Sequence, residues 1–202
     1  MKNCFWSICL LLLLAVICIP QNSNAQVDPA WLRSWNEAVE NQPANIASQS
    51  RIASEDEAGE PFIIQGQVYT PDGKPANGVV VHAYHRDEDG FDFGPNDRAT
   101  STWRLQGWVE TDENGQFEFR TIKPRADHMG REAAHIHFTT VSDTFGRQWA
   151  PKVYLSDDPL VTDKQRKKSA KAGDFGKVRK VQTQNGIQYI QVNIRLKDQA
   201  DF

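Results

Sequence analysis

The chain has 202 residues, with 23 Lys and Arg against 26 Asp and Glu and 39% hydrophobic residues. That length suits one domain with an arm. The near-balanced charge excludes a basic nucleic-acid binder, and 13 Gly with 10 Pro exclude a collagenous or low-complexity chain.

The first 25 residues have the layout of a signal peptide. Lys2 opens the segment, and an apolar run follows from Ile8 to Ile19. Pro20 breaks the run, and Ser23, Asn24 and Ala25 supply small residues before a cut at Gln26. The run is short for a bilayer span, so no stable span is expected after cleavage. Cys4, Cys9 and Cys18 all lie inside this segment. The expected mature chain is therefore exported, to the periplasm or beyond, and free of cysteine. This excludes a disulfide scaffold, a thiol nucleophile and a cysteine-type zinc site.

Residues 26 to 60 are expected to form an N-terminal helical arm and linker. Asp28 is a suitable N-cap, followed by Pro29 at the first helical position. Trp31, Leu32, Trp35, Ala38 and Val39 then recur at helical spacing, and the helix ends before Pro43. The tryptophan stripe is expected to pack against the core or a partner subunit, which would allow a homo-oligomer through the arm. Residues 44 to 60 are polar and read as a loose connection.

From Pro61 the pattern changes to period two. Strands are expected at Phe62 to Thr70, Val79 to His85, Leu105 to Glu110, Gln116 to Thr121, Ala133 to Ser142, Gln148 to Leu155 and Tyr189 to Leu196. Pro71-Asp72-Gly73-Lys74 and Asp112-Glu113-Asn114-Gly115 supply turns. On Val79 to His85 both faces are mostly apolar, as in a sandwich with covered sheets. Many short strands and one convincing helix point to an all-β sandwich over residues 61 to 202. The basic stretch from Lys164 to Lys180 reads as a solvated loop, or as a rim attracting an anionic substrate.

His135-Ile136-His137 is the strongest chemical signal. Residues two apart on a strand face the same way, so both imidazoles project together while Ile136 and Phe138 point into packing. Two neutral imidazoles side by side suit a metal ion; the alternative is two hydrogen-bonded histidines on a half-exposed strand. His82 and His85 read as structural histidines, with His85 as an alternative outer-layer residue.

These residues, in order, resemble the intradiol ring-cleavage dioxygenases. The matching pieces are Gly66-Gln67-Val68, Asp72-Gly73-Lys74-Pro75, the stretch Thr111 to Pro124, Ala134-His135-Ile136-His137-Phe138, Tyr154 with Asp158-Pro159-Leu160, and Tyr189 to Leu196. The first half of this pattern is shared with prealbumin-like modules. The His-Ile-His and Asp-Pro-Leu segments discriminate for the dioxygenases.

The resemblance implies a prealbumin-like β-sandwich and non-haem ferric iron held by two histidines and two tyrosines. It also implies a catechol-type aromatic substrate and dioxygen, with intradiol cleavage of the ring. His135 and His137 are the implied histidine ligands. Both tyrosine positions carry aspartate here, Asp92 in Gly90-Phe91-Asp92 and Asp127 after Lys123-Pro124. Asp92 and Asp127 are therefore the expected further ligands, with His128 as an alternative third imidazole; the other reading is that both aspartates are turn residues and the site is empty. Carboxylate donors also admit Fe2+, manganese or zinc. The family places an arginine three residues before the first histidine, near the substrate. That position is Glu132 here, and Arg131 stands one step earlier. Arg131 and Asp127 are the expected catalytic side chains, with Asp127, or alternatively Asp92, as proton acceptor. Two further readings remain open: a metal-dependent enzyme of another reaction type, and a non-catalytic exported binding module.

Overall fold

The computed structural model describes residues 27–202 apart from 96, 97 and 99. The expected signal peptide, its cleavage point and all three cysteines lie outside the described residues. Two five-stranded sheets face each other. The strands are β1 (Gln49–Arg51), β2 (Pro61–Tyr69), β3 (Val80–His85), β4 (Leu105–Glu110), β5 (Gln116–Ile122), β6 (His135–Ser142), β7 (Gly146–Leu155), β8 (Val178–Arg179), β9 (Gln182–Gln184) and β10 (Ile187–Arg195). One sheet has the order β1-β5-β2-β10-β9 and the other β4-β3-β6-β7-β8. The chain is an all-β sandwich, as the alternating pattern implied.

The core lies between the sheets. Phe62, Ile64, Val81, Ala83, Phe119, Ile136, Phe138, Leu155 and Ile190 are all buried there. Each comes from every second position of its strand, which leaves the intervening residues for the outer faces.

The helix α1 (Pro29–Glu40) starts where Asp28 accepts the N–H of Ala30 at 2.9 Å. It packs on the outer face of the second sheet. Trp35 and Ala38 join Tyr84, Trp103 and Trp108 in a second apolar cluster, with Trp31 and Phe202 against it. Both sheet faces at β3 are thus covered, which explains its apolar composition on both sides.

Two sequence expectations are corrected. Residues 44 to 60 are not a loose connection: β1 pairs in parallel with β5, and Ile52 and Ala53 are buried in the core. The basic stretch is not a loop throughout: α2 spans Asp163–Lys171. Thr162 and Gln165 close a capping box at its start, and buried Ser169 hydrogen-bonds both backbone atoms of Val178.

Candidate functional site

His135 and His137 lie on β6 with their rings on the outer face of the sheet. Ile136 between them is fully buried, and Phe138 beyond is 2% exposed. The two Nε2 atoms are hydrogen-bonded at 2.9 Å, which is the arrangement of two hydrogen-bonded histidines that the sequence left open as the alternative to a metal pair. His135 Nδ1 lies 2.7 Å from the carbonyl oxygen of Ala133. A carbonyl only accepts, so Nδ1 carries the proton and the neutral ring presents its lone pair at Nε2. Burial lowers the pKa of His135, and burial followed by its neighbour His135 drives His137 well below the usual range. Both rings are therefore neutral at pH 7, the form that binds metal.

The surroundings fix the pair in place. Tyr84, opposite His137 in the β3–β6 ladder, stacks on its ring at 4.4 Å and 4°. Trp103 stacks on the other side of Tyr84 at 3.9 Å. Tyr154, opposite His135 on β7, packs 5.5 Å from that ring. The β6–β7 register shifts between Ile136 and Phe138. Pro151 and Lys152 together stand against His137, which is a β-bulge. Pro151 has no N–H for the ladder, so the strand bulges where it sits. A bulge re-aims a side chain, and here Lys152 reaches the carboxylate of Glu132.

Glu132 is the carboxylate nearest the histidines. Its Oε2 is 3.8 Å from His135 Nε2 and 3.6 Å from the Arg86 guanidinium. Its Oε1 takes Lys152 and lies 3.4 Å from the Tyr154 hydroxyl. Burial alone would raise its pKa, but Lys152, His135 and Arg86 outweigh burial and hold it below the ordinary range.

The sequence-expected aspartates stand differently. Asp127 Oδ1 accepts the backbone N–H groups of Arg131 at 2.5 Å and Glu132 at 2.6 Å. Asp92 pairs with Arg86, Nε to Oδ2 3.2 Å. Arg131 projects outward with its side chain 72% exposed, 3.8 Å from Asp127. The His128 ring stacks on Phe91 at 4.5 Å. The two loops carrying Asp92 and Asp127 do adjoin: the His128 N–H donates to the Gly90 carbonyl at 3.2 Å. Gly90 is at φ +85°, and a Cβ there would stand 2.4 Å from the Ala126 oxygen. The loops meet, yet among the described residues no three His, Cys, Asp or Glu side chains are grouped around one point.

His82 and His85 are structural. His85 faces the core between the Arg86 carbonyl and Thr121, both at 2.7 Å. His82 holds Gln106 at 2.8 Å and is enclosed by Trp35, Trp103 and Trp108. A groove of about 400 Å³ lies on the outer face of the other sheet, lined by carboxamides including Gln65, Gln116 and Gln191. Its lining has no histidine, and the His135–His137 pair lies on the other sheet.

The fit to a metal is mixed. Two nitrogens each about 2.0–2.1 Å from one ion and at right angles to it stand about 2.9 Å apart, so the spacing of the histidine pair admits an ion once the proton shared between the two Nε2 atoms moves to His137 Nδ1. The two tyrosines that the resemblance implies are replaced by aspartates with other partners. The residues present therefore do not fit the four-donor ferric site.

A two-sheet sandwich with a histidine pair on an outer strand face matches the class of ring-cleaving dioxygenases. A family model described as Dioxygenase matches residues 39–198. The chain belongs to the intradiol dioxygenase family. Catechol 1,2-dioxygenase 1 of Acinetobacter lwoffii is 34% identical over 134 residues, covering 57% of this chain and 42% of that protein. The protocatechuate 3,4-dioxygenase beta chain of Burkholderia cepacia is 26% identical over 123 residues, 56% of this chain and 52% of the other. The chain thus spans about half the length of these relatives or less. The solved catechol 1,2-dioxygenase of Acinetobacter sp. ADP1, inhibited by bound mercury, shares the fold at TM-score 0.58 and 19% identity, covering 89% of this chain and 76% of that one. The dioxygenase domain of a carbohydrate-binding fusion protein from Streptomyces sp. SirexAA-E gives 0.56 and 18%, covering 77% and 91%.

Proposed function

We propose that this protein is an exported, metal-dependent oxidoreductase that acts with dioxygen on a catechol-type aromatic substrate. The observation that carries the reading is the 2.9 Å separation of the His135 and His137 Nε2 atoms, with the His135 tautomer set by Ala133. Family membership and relatives named catechol and protocatechuate dioxygenase support the substrate class. Export rests on the apolar run and small residues ahead of Gln26.

A bound metal would supply Lewis acidity and a template for the substrate oxygens. The chain's own residues do the rest. Ala133 holds the His135 ring, and Tyr84 holds the His137 ring. Lys152 and Arg86 surround the site with positive charge, where the resemblance implies a single arginine. Arg131 stands at the exposed rim.

The test is metal analysis of the purified protein together with oxygen uptake on a panel of catechols. Stoichiometric metal, lost in His137→Ala, and oxygen uptake on at least one catechol are expected. The protein should lack the red tyrosinate–iron absorption. Metal-free protein with no uptake would leave a binding module as the better reading. Mass spectrometry of the protein from its host tests export, with cleavage after Ala25 expected.

A further inference from the structure

We propose that the outer side of α2 is a docking surface for an anionic lipid membrane, which holds the protein against phospholipid headgroups by charge alone. The inference does not depend on whether the histidine pair holds a metal.

Three observations carry it. The first is where the charge stands. Eight of the chain's 23 basic residues, and only two of its 26 acidic ones, lie between Asp163 and Lys180, while the whole chain is net −3. Within this segment Lys164, Lys167, Lys168 and Lys171 recur at intervals of three and four, which sets them along one side of α2. All four are exposed and border one open hollow. The second is that these lysines have no partners. Every described lysine outside the segment pairs with a carboxylate: Lys74 with Asp72, Lys123 with Asp157, Lys152 with Glu132 and Lys197 with Asp201. Among the described residues, none of the lysines at 164, 167, 168, 171, 177 and 180 does. The third is that the fold does not need the row. Like charges at these spacings weaken a helix. The helix dipole favours Lys168 and Lys171 in the last turn but opposes Lys164 in the first. Other groups hold α2: the Thr162–Gln165 capping box, Ser169 on Val178, and the Arg166 guanidinium, which donates to the Ser156 carbonyl at 2.7 Å.

The chemistry of the row selects the partner. Arginine is the side chain that grips a single phosphate through paired hydrogen bonds. Both arginines of the segment are engaged with backbone carbonyls instead, Arg166 with Ser156 and Arg179 with Gln191 at 2.6 Å. What remains is a row of flexible point charges about 10 Å long on a convex helix. That suits a broad field of headgroups better than one enclosed anion. α2 carries no aromatic side chain to stack on bases, which argues against a nucleic acid. It has no apolar stripe either, so it would lie on the surface without entering it.

The experiment sediments the full chain with vesicles of phosphatidylcholine alone or with phosphatidylglycerol added. Binding to the phosphatidylglycerol vesicles is expected at ~0.05 M salt and its loss at ~0.5 M, where the field is screened. Lys167→Gln with Lys171→Gln should weaken binding about 25-fold, at about fivefold for each lysine. Lys167→Arg with Lys171→Arg keeps the charge and should stay within about threefold of the native protein. Arg33→Gln with Lys74→Gln makes the same change in net charge at exposed positions elsewhere, and should also stay within about threefold. Circular dichroism confirms that each variant is folded. The proposal is overturned if the native protein does not distinguish phosphatidylglycerol from phosphatidylcholine vesicles. It is overturned if binding survives both high salt and the glutamine pair in α2, which would place it in the apolar run from Ile8 to Ile19. An equal loss in Arg33→Gln with Lys74→Gln would assign the binding to net charge and overturn it too. Inorganic polyphosphate is the competing probe: if it binds where vesicles do not, the ligand is a soluble polyanion and the membrane proposal falls.

Discussion

Asp127 and Glu132 are joined twice: the Asp127 carboxylate takes the Glu132 N–H at 2.6 Å, and the Glu132 carbonyl takes the Asp127 N–H at 3.0 Å. The N–H of Glu132, more than that of Arg131, holds the Asp127 carboxyl below its ordinary pKa, although burial opposes it. Asp127→Ala removes the acceptor for two N–H groups and should cost about 1 kcal/mol of stability, as capping losses do. Asp127→Asn keeps an oxygen acceptor and should cost less. Urea denaturation checks both. A loss in Asp127→Asn as large as in Asp127→Ala would show that charge, not the turn, is what matters. The Asp127 contribution is present above the unfolded carboxyl pKa and disappears as pH falls through the lower folded value.

Acid should weaken the fold through its buried histidines. Burial pushes both His82 and His85 down to about 4. Their folded pKa lies below the unfolded one, so the unfolded chain binds more protons in acid. Stability is unaffected by these groups above about pH 6.5 and falls between about 6.5 and 4, by roughly 3 kcal/mol for each fully buried ring. His135 and His137 are also lowered by burial, so their contributions have the same sign. Denaturant midpoints from pH 8 to 4 should show this decline, and His85→Gln should reduce its slope. An unchanged slope in His82→Gln and His85→Gln would remove the buried-histidine account.

Gly66 lies opposite Phe117 in the β2–β5 ladder. A Cβ at Gly66 would stand 2.0 Å from the Phe117 ring, and Phe117 is 4% exposed. Gly66→Ala should destabilise by about 1–3 kcal/mol, as overpacking does. The added Phe117→Leu should recover part of that loss by freeing volume. If it recovers nothing, the strain lies in the strand and not in the ring.

Trp35 is 1% exposed and packs on Trp31, Trp108 and His82 with ring separations of 5.5–5.6 Å. Trp35→Ala should cost about 3–5 kcal/mol, typical for a buried aromatic. It should also weaken the hold of α1 on the outer face of the second sheet. Limited proteolysis between α1 and β1 checks the second part: cleavage there should rise in the variant. Native-like resistance would mean that α1 is held by the rest of its stripe.

The strands were legible because alternation survives wherever one sheet face is left open, as from Gln116 to Thr121, where Phe117, Phe119 and Thr121 are the buried positions. Leu105 to Glu110 was read with its observed ends. β1 was not read, because Gln49, Ser50 and Arg51 are an edge strand with little apolar signal, defined by pairing with β5. The helix α2 hid behind its lysines, yet Thr162 three residues before Gln165 was a readable capping box. The histidine pair followed from spacing of two on a strand. Glu132 and Lys152 did not, because their meeting depends on a bulge and a turn, though Pro151 inside an expected strand was the available sign. Asp92 and Asp127 were read from spacing alone. Spacing does not tell which partners a loop carboxylate takes, and aspartate's tendency to accept nearby N–H groups prevailed at Asp127.

The pairing of β10 with β2 has a consequence for how the chain is made. Gln188 to Arg195 lie in register with Phe62 to Tyr69, roughly 125 residues earlier in the chain. The first sheet therefore lacks an inner strand until Ile187–Arg195 has been synthesised. Until then β2 presents an open edge, and β9 has no neighbour on that side. A chain interrupted before Ile187 would have its other strands complete, but its exposed edge would be prone to pair with another copy.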